Sequence, residues 1–191
     1  MALVEHNITL KGDKVALRPM TEYDWDLIWR WNYNHDSKFF SEERKIFTYS
    51  PDQIQQNYRE LSKDSFCFII EANNEPIGEC SFQNTIPERI LKSHPVRRCR
   101  CIDLVIGEEK FFAPSYSMDV VRTLTKFGFE DQEADIIFAC EVPGYDRNIL
   151  RIFQKSGYQV YQKITRQAGR KTHYIYDLTL TAEQYYENKE G

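Results

Sequence analysis

The chain has 191 residues, 41% of them hydrophobic and 28% charged, which suits one domain that buries its own core without disulfides or a structural metal. A formal net charge of -4 removes the overall positive field behind charge-driven nucleic-acid binding, and no 18-residue apolar run offers a membrane crossing. The five cysteines include no C-x-x-C pair, and Met1 to Asn7 carries Glu5 in place of a signal peptide's apolar stretch, so reduced thiols, no metal and a cytoplasmic location are expected.

In chain order, Ile8 to Met20 reads as two short strands around the turn Lys11-Gly12-Asp13-Lys14, the second stopped by Pro19. Thr21 can cap a helix whose Leu27, Ile28 and Trp31 fall at helical spacing and which ends near Asn34. Ser50 then Pro51 and Asp52 start a second helix over 51–63, with Ile54, Tyr58 and Leu61 on one face. Phe66 to Glu71 and Ile77 to Phe82 form a hairpin around Asn73-Asn74-Glu75-Pro76. Residues 83–98 are a polar, partly basic connection, and Cys99 to Ile106 is a buried strand ended by Gly107. A helix follows from about Ser117 to Phe129 with Val120, Val121, Leu124 and Phe127 inward, then a strand from Ile136 to Cys140. Asp146 to Ser156 is a helix terminated by Gly157, and Gln159 to Thr165 with Thr172 to Leu180 closes the chain as a hairpin around Gly169.

Three blocks in this order resemble the GNAT acetyltransferases, particularly the branch with ribosomal-protein and spermidine N-acetyltransferases. Leu10-Lys-Gly-Asp-Lys-Val-Ala-Leu-Arg-Pro19 with Thr21-Glu-Tyr-Asp24 and Trp29-Arg-Trp31 looks like that branch's opening strand and helix. Asp103-Leu-Val-Ile-Gly-Glu-Glu-Lys-Phe-Phe112 is similar to its central strand and cofactor-loop approach, and Arg151-Ile-Phe-Gln-Lys-Ser-Gly-Tyr158 to its last helix-to-strand segment. The resemblance implies a mixed α+β GNAT fold in one domain, residues 1–191, with a mostly antiparallel twisted sheet of about seven strands flanked by about four helices. It implies direct transfer of an acetyl group from acetyl-CoA to an amine acceptor, a small molecule or a protein N-terminus, and a homodimer is an open assembly. The pantetheine arm would lie where the strand ending at Ile106 splays from the strand at Ile136, held by backbone groups of Leu104, Val105 and Ile106.

The family's pyrophosphate loop, Gln/Arg-x-x-Gly-x-Gly/Ala, maps onto Phe112-Ala113-Pro114-Ser115-Tyr116-Ser117, so both glycines are serine. A serine held at positive φ costs roughly 1 kcal/mol and Pro114 lacks an amide, so CoA affinity falls or the loop is reshaped. Ala113, Ser115, Tyr116, Ser117 and Met118 are the expected phosphate contacts. Asp146 stands where the family's Asn meets the pantetheine arm, and Phe153 where many members place a Tyr that protonates the leaving thiolate. Glu79 and Asp103, on adjacent strands near the acceptor cleft, are the candidate bases; the plainer reading of each is a solvent-facing strand carboxylate. Arg89, Lys92, Arg97, Arg98 and Arg100 with His94, and Lys163, Arg166, Arg170 and Lys171 in the last hairpin, would favour an acidic acceptor or a nucleotide-bearing substrate over a polyamine if they line that cleft, although charge runs are usually solvated faces. A noncatalytic GNAT-fold binding module and an enzyme using another thioester donor are the alternatives.

Overall fold

A computed structural model of the chain describes residues 2–33, 50–144, 146–168 and 171–190. The expected end of the first helix at Asn34 and the turn at Gly169 lie outside the described residues. The strands are β1 (Leu10–Lys11), β2 (Ala16–Pro19), β3 (Ser65–Ala72), β4 (Glu75–Gln83), β5 (Cys99–Ile106), β6 (Ile136–Pro143), β7 (Gln159–Ala168) and β8 (Lys171–Thr181). The helices are α1 (Trp25–Tyr33), α2 (Pro51–Leu61), α3 (Glu88–Ser93), α4 (Pro114–Lys126), α5 (Arg147–Lys155) and α6 (Ala182–Glu190). The eight strands form one sheet in the order β1-β2-β3-β4-β5-β6-β8-β7, in which only β5 and β6 run parallel.

The mixed, mostly antiparallel fold is as expected, with corrections to the counts: eight strands, and six α-helices among the described residues. The extra helices have physical reasons. In α3, only Ile90 is fully buried in a six-residue segment, too short to print a helical period on the sequence. In α6, polar residues surround the few aromatic contacts: Tyr185 stacks on Phe129 at 4.9 Å and its hydroxyl donates to Glu130 at 2.7 Å.

Strand alternation sends side chains to two cores. Phe68, Ile70, Phe82, Ile102 and Ile106 pack with Val120, Val121 and Leu124 of α4 and Ile152 and Phe153 of α5. On the opposite face, Cys67 and Ile69 meet Ile28 and Trp31 of α1 and Ile54 of α2. Further along that face, Ile90 of α3 covers Cys99, Cys101, Ile136 and Phe138. Gly107 lets α1 lie across the end of β5, because a Cβ there would stand 2.1 Å from Trp31 Cγ.

The entry to α1 is fixed by charge. Asp24 is buried and accepts from Arg18 Nη2 at 2.7 Å, Arg18 Nη1 at 2.9 Å and the Thr21 amide at 2.8 Å. Burial by itself would raise the Asp24 pKa; the Arg18 guanidinium and the Thr21 donors outweigh it and hold the carboxyl below its ordinary range. A depressed folded-state pKa adds stability above the unfolded value, about 3.9, that is lost as pH falls through the folded one. Urea unfolding should therefore show Asp24→Asn about 2 kcal/mol less stable at pH 7, with the gap narrowing in acid as the parent carboxyl protonates.

Candidate active site

The parallel ladder between β5 and β6 is short. Its paired residues are Cys99↔Ile136, Arg100↔Ile137 and Cys101↔Phe138, after which β5 continues to Ile106 and β6 to Pro143 without each other. Gly107 donates to the Ile77 carbonyl at 2.8 Å in the β4–β5 register, so odd-numbered residues of β5 turn their main chain to β4. The even-numbered ones face β6, as the Asp135 amide bound to the Arg98 carbonyl at 3.0 Å agrees. Leu104 and Ile106 thus present main-chain groups to an open wedge. Val105 does not: its backbone is turned to Glu79 of β4 and its side chain is buried, which corrects its place among the backbone groups expected to grip an arm.

One wedge amide is occupied locally. The Leu104 N–H donates to Asp103 Oδ1 at 2.9 Å, so anything that takes this amide must displace the neighbouring carboxylate. Leu104 and Ile106 alternate on one strand edge, as the partner edge of a missing β-strand would.

At the mouth of the wedge, α4 begins at Pro114 and not near Ser117, with Ala113 as its cap. Proline suits the first helical position because its φ is already helical and its missing N–H has no partner there. Residues 114–117 are therefore the first helical turn, and the non-glycine residues with positive φ are Asn73, Asn74, Glu133 and Glu141 among the described residues. The serines carry no left-handed strain, which corrects the expected cost. The winding also redistributes the donors. Tyr116 N–H bonds the Ala113 carbonyl at 3.1 Å, and Ser117 and Met118 stand where the α-ladder takes up amides, so Ser115 and Ala113 remain the end donors of the cluster. Ser117 is fully buried and its side chain cannot reach a ligand outside the helix.

Sequence reasoning missed a cation here. Lys14 Nζ lies 5.6 Å from the Tyr116 ring centroid, beside the first turn of α4. Its loop is anchored by Asp119 of α4, whose carboxylate accepts the amides of Asp13, Lys14 and Val15 at 3.1, 2.6 and 3.0 Å. A helix start, the Ser115 amide and a lysine can together attract a phosphate. The signal in the sequence was only a lysine at the end of a turn.

Two other expected contacts have structural duties. Asp146 caps α5, its Oδ1 accepting from Asn148 and Ile149 amides at 3.1 Å each. Phe153 is buried edge-on against Tyr158 at 5.3 Å, a core contact. The two candidate bases come together: Ser81 opposes Asp103 and Glu79 opposes Val105, which makes Glu79 and Asp103 diagonal neighbours on the α1–α2 face. Such positions lie about 7–8 Å apart, close enough to share a water. Glu79 is buried, 4% exposed, whereas Asp103 is exposed, so the plain solvent-facing reading does not describe Glu79.

Burial makes poor nucleophiles of Cys67, Cys80 and Cys101. Burial, with the Glu79 and Asp64 charges, pushes Cys67 up to about 12, and burial also pushes Cys80 up. At Cys101 a hydrogen bond with Cys140 and burial act together in the same direction. The basic residues counted in the sequence are largely spent on acids: Arg89 on Asp177 and Glu141, Lys92 on Glu88, Arg98 on Glu133 and Asp135, and Arg166 on Glu141.

Comparison with known proteins agrees with this geometry. The acetyltransferase (GNAT) domain family model matches residues 20–166. Aminoglycoside N(6')-acetyltransferase type 1 of Klebsiella pneumoniae is 26% identical over 181 residues, 86% of this chain and 90% of that protein. Among solved structures, aminoglycoside acetyltransferase AAC(6')-Ib in complex with coenzyme A superposes with a TM-score of 0.71 at 18% identity, covering 92% of this chain and 99% of that one. A GNAT-family acetyltransferase from Bacillus anthracis gives a TM-score of 0.70 at 16% identity over the same shares. The solved structures speak for the fold, and the family match spans most of the sequence: this chain belongs to the GNAT acetyltransferase family.

Proposed function

We propose that the chain is an acetyl-CoA-dependent N-acetyltransferase whose acceptor is a multiply charged amine of the aminoglycoside or polyamine kind. The observation that carries this reading is the wedge, where the β5–β6 ladder ends at Cys101↔Phe138 and the main chain of Leu104 and Ile106 is left facing it. Acetyl-CoA supplies an activated thioester; the chain positions it, polarises its carbonyl through backbone donors and excludes competing attack.

The neutral amine attacks the thioester carbonyl carbon, a C–N bond forms, the C–S bond breaks and CoA leaves as thiolate. The proton released from nitrogen goes to Glu79 or Asp103, directly or through one water. Phe153 has no proton to offer, so the thiolate departs unassisted by that residue. The pairing of the basic side chains with acids, beside the carboxylates of Glu79 and Asp103, supports a cationic acceptor. Five free cysteines support a reducing compartment such as the cytoplasm, and 1–191 is read as one catalytic domain.

Calorimetric titration is the first test: acetyl-CoA should bind with a Kd on the order of micromolar, and no heat at millimolar ligand would refute the reading. Pro114→Ala restores an amide at the start of α4 and should tighten that Kd by about threefold. A base acts only when deprotonated, so turnover should rise with pH through its pKa. Of Glu79→Gln and Asp103→Asn, the one that removes the base should lower kcat by about a hundredfold and abolish that rise. Aminoglycosides and spermidine should outperform acidic amines in the same assay.

A further inference from the structure

The wedge has a lock on its β6 side. Ala139 pairs with Leu178 and Val142 with Tyr176, so Cys140 and Glu141 of β6 together face the single residue Asp177 of β8. This is a β-bulge, which bends its strand and steepens its twist. It begins two residues after the last residue that β6 pairs with β5. Glu141 sits in the left-handed region, φ 58, a conformation that a residue with a Cβ adopts only when its surroundings impose it.

Asp177 supplies those surroundings. The Glu141 N–H donates to Asp177 Oδ1 at 2.9 Å. Asp177 is 0% exposed and is gripped by Arg89 of α3, Nε to Oδ2 at 3.1 Å and Nη2 to Oδ1 at 2.9 Å. The Glu141 carboxylate in turn holds Arg89 Nη1 at 3.4 Å and Arg166 Nη2 of β7 at 2.6 Å. Three elements therefore converge on one bulge, through a guanidinium fork that matches a carboxylate bidentately.

The register shows what the lock prevents. In the β5–β6 ladder Cys99 lies opposite Ile136 and Cys101 opposite Phe138, so the even-numbered residues of β6 turn their main chain to β5, while the Ala182 N–H on the Asp135 carbonyl sets the odd-numbered ones toward β8. Continued without a bulge, that register sets Glu141 opposite Leu104 and brings the Val142 N–H to the Leu104 carbonyl, inside the wedge. A regular β6 would zip onto β5 there, whereas the bulge turns the Val142 main chain to Tyr176 of β8 and leaves the Glu141 N–H on Asp177.

We propose that Asp177, anchored by Arg89, is a positioning residue that holds the acyl-CoA wedge open by bonding the Glu141 amide, which fixes the bulge that keeps the Val142 amide off Leu104. The proposal rests on the reading that a thioester arm enters this wedge, and the lock itself can be observed without any ligand. In Asp177→Ala, cross-strand NOEs between the Val142 amide and Leu104 or Val105 should appear, and acetyl-CoA affinity should fall by about tenfold or more. The KM for the amine at saturating acetyl-CoA should hardly move, which a general loss of structure would not permit. Asp177→Asn keeps a side-chain carbonyl for the Glu141 amide and should restore acetyl-CoA affinity to within about threefold of the parent.

A folded Asp177→Ala protein with no such NOEs and an acetyl-CoA Kd within about twofold of the parent overturns the lock. Should Asp177→Ala fail to fold, Arg89→Lys, which keeps the charge but loses the fork, carries the test. A few-fold loss of acetyl-CoA affinity is then expected, and parental affinity in that variant overturns the lock equally. If the parent itself binds no acetyl-CoA, the transferase reading fails, and the NOE comparison alone still decides whether Asp177 holds the strands apart.

Discussion

A strand edge left without a partner inside a sheet is the constraint that the rest of this structure answers to. Main-chain N–H and C=O groups there have lost water and gained nothing unless some other group bonds them. Beyond Cys101 and Phe138 the chain answers in two ways. On β5 the Leu104 amide is covered by the adjacent Asp103 carboxylate, while on β6 a bulge whose Glu141 amide is held by Asp177 turns the Val142 main chain away to β8. Around this opening, β4 and β8 keep the outer edges of the two strands paired, so the gap is confined and the sheet stays one sheet.

The helices serve the same opening from both faces. α4 starts at the end of the sheet where β5 finishes, and the Asp119 carboxylate ties its second turn to the β1–β2 hairpin through three amides. On the other face, α1 is set by the Asp24–Arg18 pair at its entry, with Trp31 Nε1 donating to Glu108 Oε1 at 2.8 Å just past β5. Gly107 makes that crossing sterically feasible. The strand that lines the wedge is thus clamped beyond its C-terminal end by a ring of charge and hydrogen bonds, not by hydrophobic packing alone.

Much of the fold was legible in the sequence where local chemistry and burial point the same way. Ser50-Pro51 gave the start of α2, which has a capping box with Gln53, and the apolar run from Cys99 to Ile106 gave β5 to the residue. The site was less legible because its decisive features are set by tertiary contacts. Nothing in the tripeptide Cys140-Glu141-Val142 marks a left-handed glutamate, since the cause is a carboxylate 36 residues later in the chain. Arg89 read as part of a basic run, and only folding shows that its partner is a buried aspartate. Asp146 read as a damaged cofactor contact because the motif supplied a role before the helix cap supplied another.

These contrasts explain how the family's fold persists while its motif residues drift. The noncatalytic alternative drew on serines at glycine positions, on Pro114, on Asp146 and on Phe153. Pro114 and the serines have wound into an unstrained first turn of α4, Asp146 caps a helix and Phe153 fills the core. None of those side chains is asked to do the chemistry, because the groups that face the wedge belong to the main chain of β5. Their position depends on strand register and on where β6 bends. A sequence can therefore lose motif identities and keep the machinery, provided it retains whatever holds two neighbouring strands from pairing.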